Sequence, residues 1–345
     1  MRKIGRNCSP FCKYENGKWG IVLQRERVWS LDFLKAVAIL AVVLGHIASP
    51  LSRFIFAWHM PAFFFASGVL LWAKREKGGR LSVFDKHDFF RLGRYYLFFG
   101  LLGIAVENIK IWALGRPAMD LWETAVGFLY FMDMPHLHHY GFILWFLPAL
   151  FWGKMFARAL LCYGKEQDNI LLGAGFLFLV GWMRPLEFPV GFGIHEGLLA
   201  VLWCVLGCLF AAVWNRYRML SVFGALSFAA ALGAIVFLPI PRLDLASYMI
   251  PDPLYNVCYS VLVIYLLLFL GQLLEKRVRV FDRGIELISR YSIYIMGFHV
   301  YTNNAAVVFL QHFHQEAWWM VFLTSCALLV PLLLAVGFLQ SLRKT

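Results

Sequence analysis

Lys35 and His46 stand eleven positions apart within an apolar run of membrane-spanning length. Eleven steps of about 100° return to within about 20° of the start, so both side chains occupy one helix face, about 16 Å apart along the axis. Ionisable groups inside a span are costly and mark functional sites. A cation near one end and a general base near the other suit a long anionic ligand threaded along the helix. The chain then turns back around residues 49–53, which sets His59 opposite His46 at a similar depth. Pro61 is expected to bend the second span beside His59 and free a backbone carbonyl. A single intramembrane histidine is ordinarily a hydrogen-bonded packing residue. Two at matching depth, with a lysine on the same face below, favour chemistry.

Other groups join them along the chain. Arg91-Leu-Gly-Arg94 precedes the third span, and its i, i+3 spacing puts both guanidinium groups on one side, a geometry that matches phosphate oxygens. Alone it reads as anchoring charge; with Lys35 it makes a phosphate-binding vestibule. Further on, His299 falls near mid-membrane with Tyr291, Ser292 and Tyr294 below it, where interhelical hydrogen bonding is the ordinary role. Glu107 and Glu196 are placed to orient a histidine or bind an acceptor hydroxyl. His136, His138 and His139, with Asp133, and His312 with His314 have spacings that can bind metal. Loop histidines are mostly solvated, and no metal is expected.

The elements that must position these residues are membrane helices. The chain of 345 residues is 61% hydrophobic, 17% aromatic and 15% charged, the composition of a polytopic membrane protein. Residues 1–30 are too polar and basic for a secretory signal peptide, so the first span is expected to direct its own insertion. Ten spans are expected near 31–50, 54–73, 95–114, 142–161, 169–184, 197–214, 219–240, 254–274, 291–310 and 317–339. Ser30 is placed to cap the first, with Asp32 at its positive end. With both termini cytosolic, nearly all Lys and Arg fall on the inner side, and the outer segments hold only Arg53, Arg116, Arg184 and Arg242. This is the positive-inside rule, so the net charge of +12 faces anionic lipid rather than nucleic acid. The expected organisation is an all-α polytopic bundle of about ten transmembrane helices: a basic cytosolic tail over 1–30, a membrane domain over 31–339 and a cytosolic tail over 340–345. The seven cysteines fit neither zinc-finger spacing nor a disulfide framework, and Cys204 with Cys208 reads as a pair of small packing residues.

Several stretches carry a family resemblance. Arg27-Val-Trp-Ser-Leu-Asp-Phe-Leu-Lys-Ala-Val-Ala-Ile, running into His46, resembles the first span of the membrane-bound acyltransferase-3 family. Phe56-Ala-Trp-His-Met-Pro-Ala-Phe-Phe-Phe-Ala-Ser-Gly68 resembles its second span, especially in short members related to fucose 4-O-acetylases. Arg91-x-x-Arg94, Leu144-Trp-Phe-Leu147 and Tyr291-Ser-Ile-Tyr through His299 are similar to later landmarks in the same order. The resemblance implies transfer of an acyl group, usually acetyl, from cytosolic acyl-CoA to a sugar hydroxyl of a surface glycan or its lipid-linked precursor. It implies an enzyme transferring groups other than aminoacyl groups, in the inner cell membrane. The family's Arg-x10-His motif maps onto Lys35 and His46, with lysine keeping the charge but not the bidentate fork.

The residues fit that chemistry. A sugar hydroxyl is a poor nucleophile, and a neutral histidine within reach removes its proton as the thioester carbonyl is attacked. His46 is expected to be that base, with His59 orienting it or polarising the carbonyl. Lys35, Arg91 and Arg94 are expected to hold the CoA phosphates. Glu107, Glu196, Tyr294 and His299 are candidates for acceptor binding. Direct transfer and an acyl-histidine intermediate both fit the sequence. The competing reading is a carrier or exporter of glycans or small solutes, since buried His, Glu and Lys suit proton coupling. It lacks the paired discontinuous helices of an inverted-repeat transporter. A third reading is a sensor or assembly subunit without activity.

Overall fold

The computed structural model describes residues 12–15, 18–21, 28–76, 81–115, 120–128, 142–164, 166–183, 191–214, 222–275, 277, 281–315 and 317–342. A two-stranded antiparallel ribbon, β1 (Cys12–Glu15) and β2 (Lys18–Ile21), comes first in the chain. The longer elements after it, among the described residues, are helices. The helices are α1 (Trp29–Gly45), α2 (Ser52–Phe56), α3 (His59–Glu76), α4 (Lys86–Ala113), α5 (Leu121–Val126), α6 (Phe146–Tyr163), α7 (Gln167–Met183), α8 (Ile194–Trp214), α9 (Val222–Phe237), α10 (Pro253–Leu274), α11 (Asp282–Arg290), α12 (Ser292–Gln311) and α13 (Trp318–Leu342). The protein is an all-α polytopic bundle.

Each expected span has its helix. Seven helical stretches among the described residues are long and apolar enough to cross a membrane. The other three, α1, α7 and α9, have 17, 17 and 16 residues, at the short end of what a bilayer needs. Several ends differ from expectation for local reasons. The first helix closes at Gly45, and the chain passes through the short α2 before α3 begins at His59. Pro61 is therefore in the first turn of α3, where a missing N–H and a fixed φ are tolerated, and it does not kink a span. Ser30 does not cap α1; Val28 holds the cap position and Ser30 is buried within the first turn. Asp32 does lie in that turn. The third long helix starts at Lys86, capped by Asp85, whose carboxylate accepts from the His87 and Asp88 amides. The stretch after α5 folds back onto this helix: Phe128 stacks on Tyr96, whose hydroxyl donates to the Phe128 carbonyl.

The core forms where α8 packs against α3, α6 and α7. Two glycines set the α3–α8 spacing. A Cβ on Gly68 would fall 1.9 Å from the Cys204 carbonyl oxygen, and one on Gly207 would fall 2.1 Å from the Phe65 carbonyl oxygen. The Cys208 thiol donates to the Gly68 carbonyl at 3.2 Å, so the cysteines do pack as small residues at this contact. Gly68→Ala is expected to force the two backbones apart, at the upper end of the about 1–3 kcal/mol that overpacking costs. A clear loss of thermal stability of the detergent-solubilised protein checks this. An unchanged melting temperature would contradict the close approach.

Candidate active site

A cavity of about 540 Å³ lies between α1, α3, α4, α6 and the α11–α12 junction. Its size is that of a small-molecule site. Its walls carry six Lys or Arg side chains, Lys35, Lys74, Arg91, Lys154, Arg158 and Arg290, against two carboxylates, Asp85 and Asp88. Asp88 organises three of the cations. It accepts from Arg91 Nη2 at 2.9 Å, from Lys154 Nζ at 2.5 Å and from Arg158 Nη2. Asp85 pairs with Lys74 at 3.1 Å and Arg158 at 3.3 Å. Burial raises the Asp85 carboxyl, but the Lys74 hydrogen bond and the Arg158 charge outweigh it and hold Asp85 below the usual carboxylate range. Its contribution to stability is thus present above the unfolded-state value and lost as pH falls through the folded one.

The two carboxylates do not satisfy the cations. Arg158, with 3% of its side chain exposed, has no hydrogen-bond partner for Nη1 among the described residues, and Arg91 has none for Nε. Donors left in a chamber with excess positive charge suit a multiply charged anion. Lys35 reaches the same chamber beside Asp32, 3.7 Å away, which in turn accepts from Ser289 at 2.6 Å. Arg94 does not share this side. It is exposed, donates to the Phe90 carbonyl of its own helix at 3.3 Å and is not among the cavity residues.

The cavity leads towards the histidines along two helix faces. On α1 its walls include Lys35, Ile39 and Val42, and the next residue of that face is His46. On α12 they include Ser292 and Met296, and the next is His299. Both stripes converge: the His46 and His299 rings lie 5.0 Å apart, tilted by 35°. His46 stands just past the last turn of α1 and is exposed, whereas His299 is fully buried. A hydrogen-bonded chain fixes the two helices there. Asn303 Nδ2 donates to the Val43 carbonyl at 2.9 Å, one of the last carbonyls of α1, and Ser325 of α13 donates to Asn303 at 2.6 Å. Phe56 meets the imidazoles of both His46 (5.7 Å) and His59 (5.2 Å) edge-on. His59 is buried, and its Nδ1 donates to the Ile55 carbonyl at 2.7 Å, which closes the break between α2 and α3.

A cation-lined chamber whose helix faces continue to the histidines suits group transfer from an anionic donor. The profile of the acyltransferase domain matches residues 28–336, from the start of α1 into α13. The chain belongs to the acyltransferase-3 family. No curated protein and no solved structure matches it. It is a multi-pass membrane acyltransferase.

The remaining expected site residues of the acyltransferase are spread more widely. Glu107 pairs with Lys110 at 3.4 Å on α4. Glu196 is buried and accepts from the Tyr248 hydroxyl at 2.7 Å. Tyr248 adopts a left-handed φ of 56° in the turn closed by the Asp244–Met249 bridge. The Tyr294 hydroxyl accepts from Tyr95 at 3.4 Å and from Gln340 at 3.1 Å, close to the cavity wall formed by Tyr95. His312 and His314 are exposed beyond α12. Asp133, His136, His138 and His139 lie outside the described residues, as do Arg116 and Arg184. Sequence reasoning missed Lys154, Arg158 and Asp88. Their signal was an i, i+4 cation pair inside the apolar run of α6, absorbed into the general inner-side charge. It also missed Asp244, which lies within electrostatic reach of both His46 and His59.

Proposed function

We propose that the enzyme moves an acyl group, most simply acetyl, from acyl-CoA to a sugar hydroxyl of a surface glycan or its precursor, with His46 as general base. The observation that carries this reading is the pair of helix faces that run from the cation-lined cavity to the two histidines. The CoA phosphates occupy the chamber of Lys35, Arg91, Lys154 and Arg158. The pantetheine arm follows Ile39 and Val42, and the thioester reaches His46. His46 takes the hydroxyl proton as the oxygen attacks the thioester carbonyl, and returns it to the sulfur as the C–S bond breaks. The charge distribution favours an orientation with both chain termini and the cavity on the cytosolic side of the inner membrane and His46 towards the outside. Mass spectrometry of the surface glycan with and without the protein tests the reaction: loss of an acyl mass increment is the expected result, and an unchanged glycan counts against it.

The donor chamber makes a graded prediction. Arg91→Ala is expected to raise the KM for acyl-CoA by about 10- to 100-fold, the worth of a charge-assisted contact, and to leave the acceptor KM near its original value. Arg94→Ala, on the exposed side of the same helix, is expected to change it far less. Lys35→Arg keeps the charge and is expected to stay active. Equal effects of the two alanine variants would remove Arg91 from the donor site.

A further inference from the structure

His299 is a fully buried polar group with one ring nitrogen unaccounted for among the described residues. Its Nδ1 donates to the Met296 carbonyl at 2.5 Å, and a carbonyl only accepts, so the proton is on Nδ1 and the lone pair on Nε2. That Nε2 is buried and has no hydrogen-bond partner among the described residues. A buried acceptor without a donor is rare in a native core. The His46 ring lies beside it, at 5.0 Å between centroids. A ring nitrogen sits about 1.2 Å from its centroid, so two imidazoles joined by an N–H···N bond of about 2.8 Å have centroids about 5 Å apart. The spacing is already that of a hydrogen-bonded pair, and a rotation of the exposed His46 ring completes it.

We infer that His299 is a positioning residue for His46: its Nε2 lone pair accepts the His46 ring N–H, which turns the other His46 nitrogen towards the acceptor hydroxyl. This rests on His46 being the base. During transfer the second His46 nitrogen takes the hydroxyl proton as the C–O bond forms, and the resulting imidazolium is held through its other N–H by His299. The proton then passes from His46 to the departing sulfur as the C–S bond breaks, and His299 ends with the proton it began with. The role is that of the carboxylate behind the histidine of a catalytic triad, filled by a neutral imidazole that Met296 holds in one tautomer.

His299→Phe keeps a ring and removes the acceptor; His299→Gln keeps a side-chain acceptor. With acyl-CoA and a glycan acceptor, the Phe variant is expected to lose about 10²-fold in kcat with both KM values within about threefold, and to shift the acid limb of its kcat–pH profile. The groups that face His46 and shape that limb are His59, His299 and Asp244. The Gln variant is expected to recover to within about tenfold of the unaltered enzyme. A raised acceptor KM at unchanged kcat would make His299 a substrate contact and overturn the inference, as would equal losses in both variants with no change in the pH profile. Should the Phe variant fail to fold, histidine ¹⁵N spectra of the unaltered protein decide: the inference requires a hydrogen-bonded His299 Nε2 and is overturned by a free one. An inactive His46→Ala enzyme beside a His299→Phe enzyme of normal kcat removes the positioning role alone. An active His46→Ala enzyme removes the base beneath it.

Discussion

A His46→Ala enzyme is expected to insert, accumulate and bind acyl-CoA like the unaltered chain, and to transfer almost nothing. The loss expected for a missing general base is about 10²- to 10⁴-fold in rate. The structure separates chemistry from stability here, because His46 lies beyond the last turn of α1 and is exposed, so its removal opens no core cavity. Release of free CoA thiol in the presence of an acceptor measures the effect. Near-normal turnover by a well-expressed His46→Ala enzyme would sink the assignment. His59→Ala is a different experiment. That ring is buried and bridges the α2–α3 break through Ile55, so lower protein levels are expected along with lower activity.

In oriented proteoliposomes, acyl-CoA supplied only on the side of Lys35 and acceptor supplied only on the side of His46 are expected to give full turnover. With the donor moved to the His46 side, turnover is expected to vanish. The reason is the separation of the two ends of α1, about 16 Å along the axis, with the cation chamber confined to one of them. A cysteine placed at Arg91 is expected to react from the donor side and to be shielded by acyl-CoA. One placed at Asp244, near the histidines, is expected to react from the opposite side and to be indifferent to it. If donor and acceptor were needed on one face, transfer through the bundle would be wrong even though the protein is an acyltransferase.

What the sequence discloses here follows from range. The Lys35–His46 face is legible because helical periodicity is local and because a lysine within an apolar run is conspicuous; its walls then appear as Lys35, Ile39 and Val42 in the cavity. The helices themselves are legible for the same reason. Their ends are less so: α1 closes at Gly45, short of the expected end, and the break between α2 and α3 turns Pro61 from a kink into an ordinary first-turn proline. The meeting of His46 with His299 joins residues 253 positions apart on α1 and α12, and no spacing rule reaches that far. Lys154 and Arg158 were visible but carried two explanations. Charge at the inner end of a span satisfies topology, and only the placement of Asp88 between them reveals a built chamber.

The Asn303 clasp on the Val43 carbonyl has a consequence for how such an enzyme changes over time. The two imidazoles are registered by one helix gripping another, not by the segments that join helices. Connections that carry no group facing His46 can therefore accumulate substitutions, insertions or exchanges while the two rings keep their places. Ring registration and the make-up of the connections thus reside in separately mutable parts of the molecule, so a lineage can alter one without losing the other.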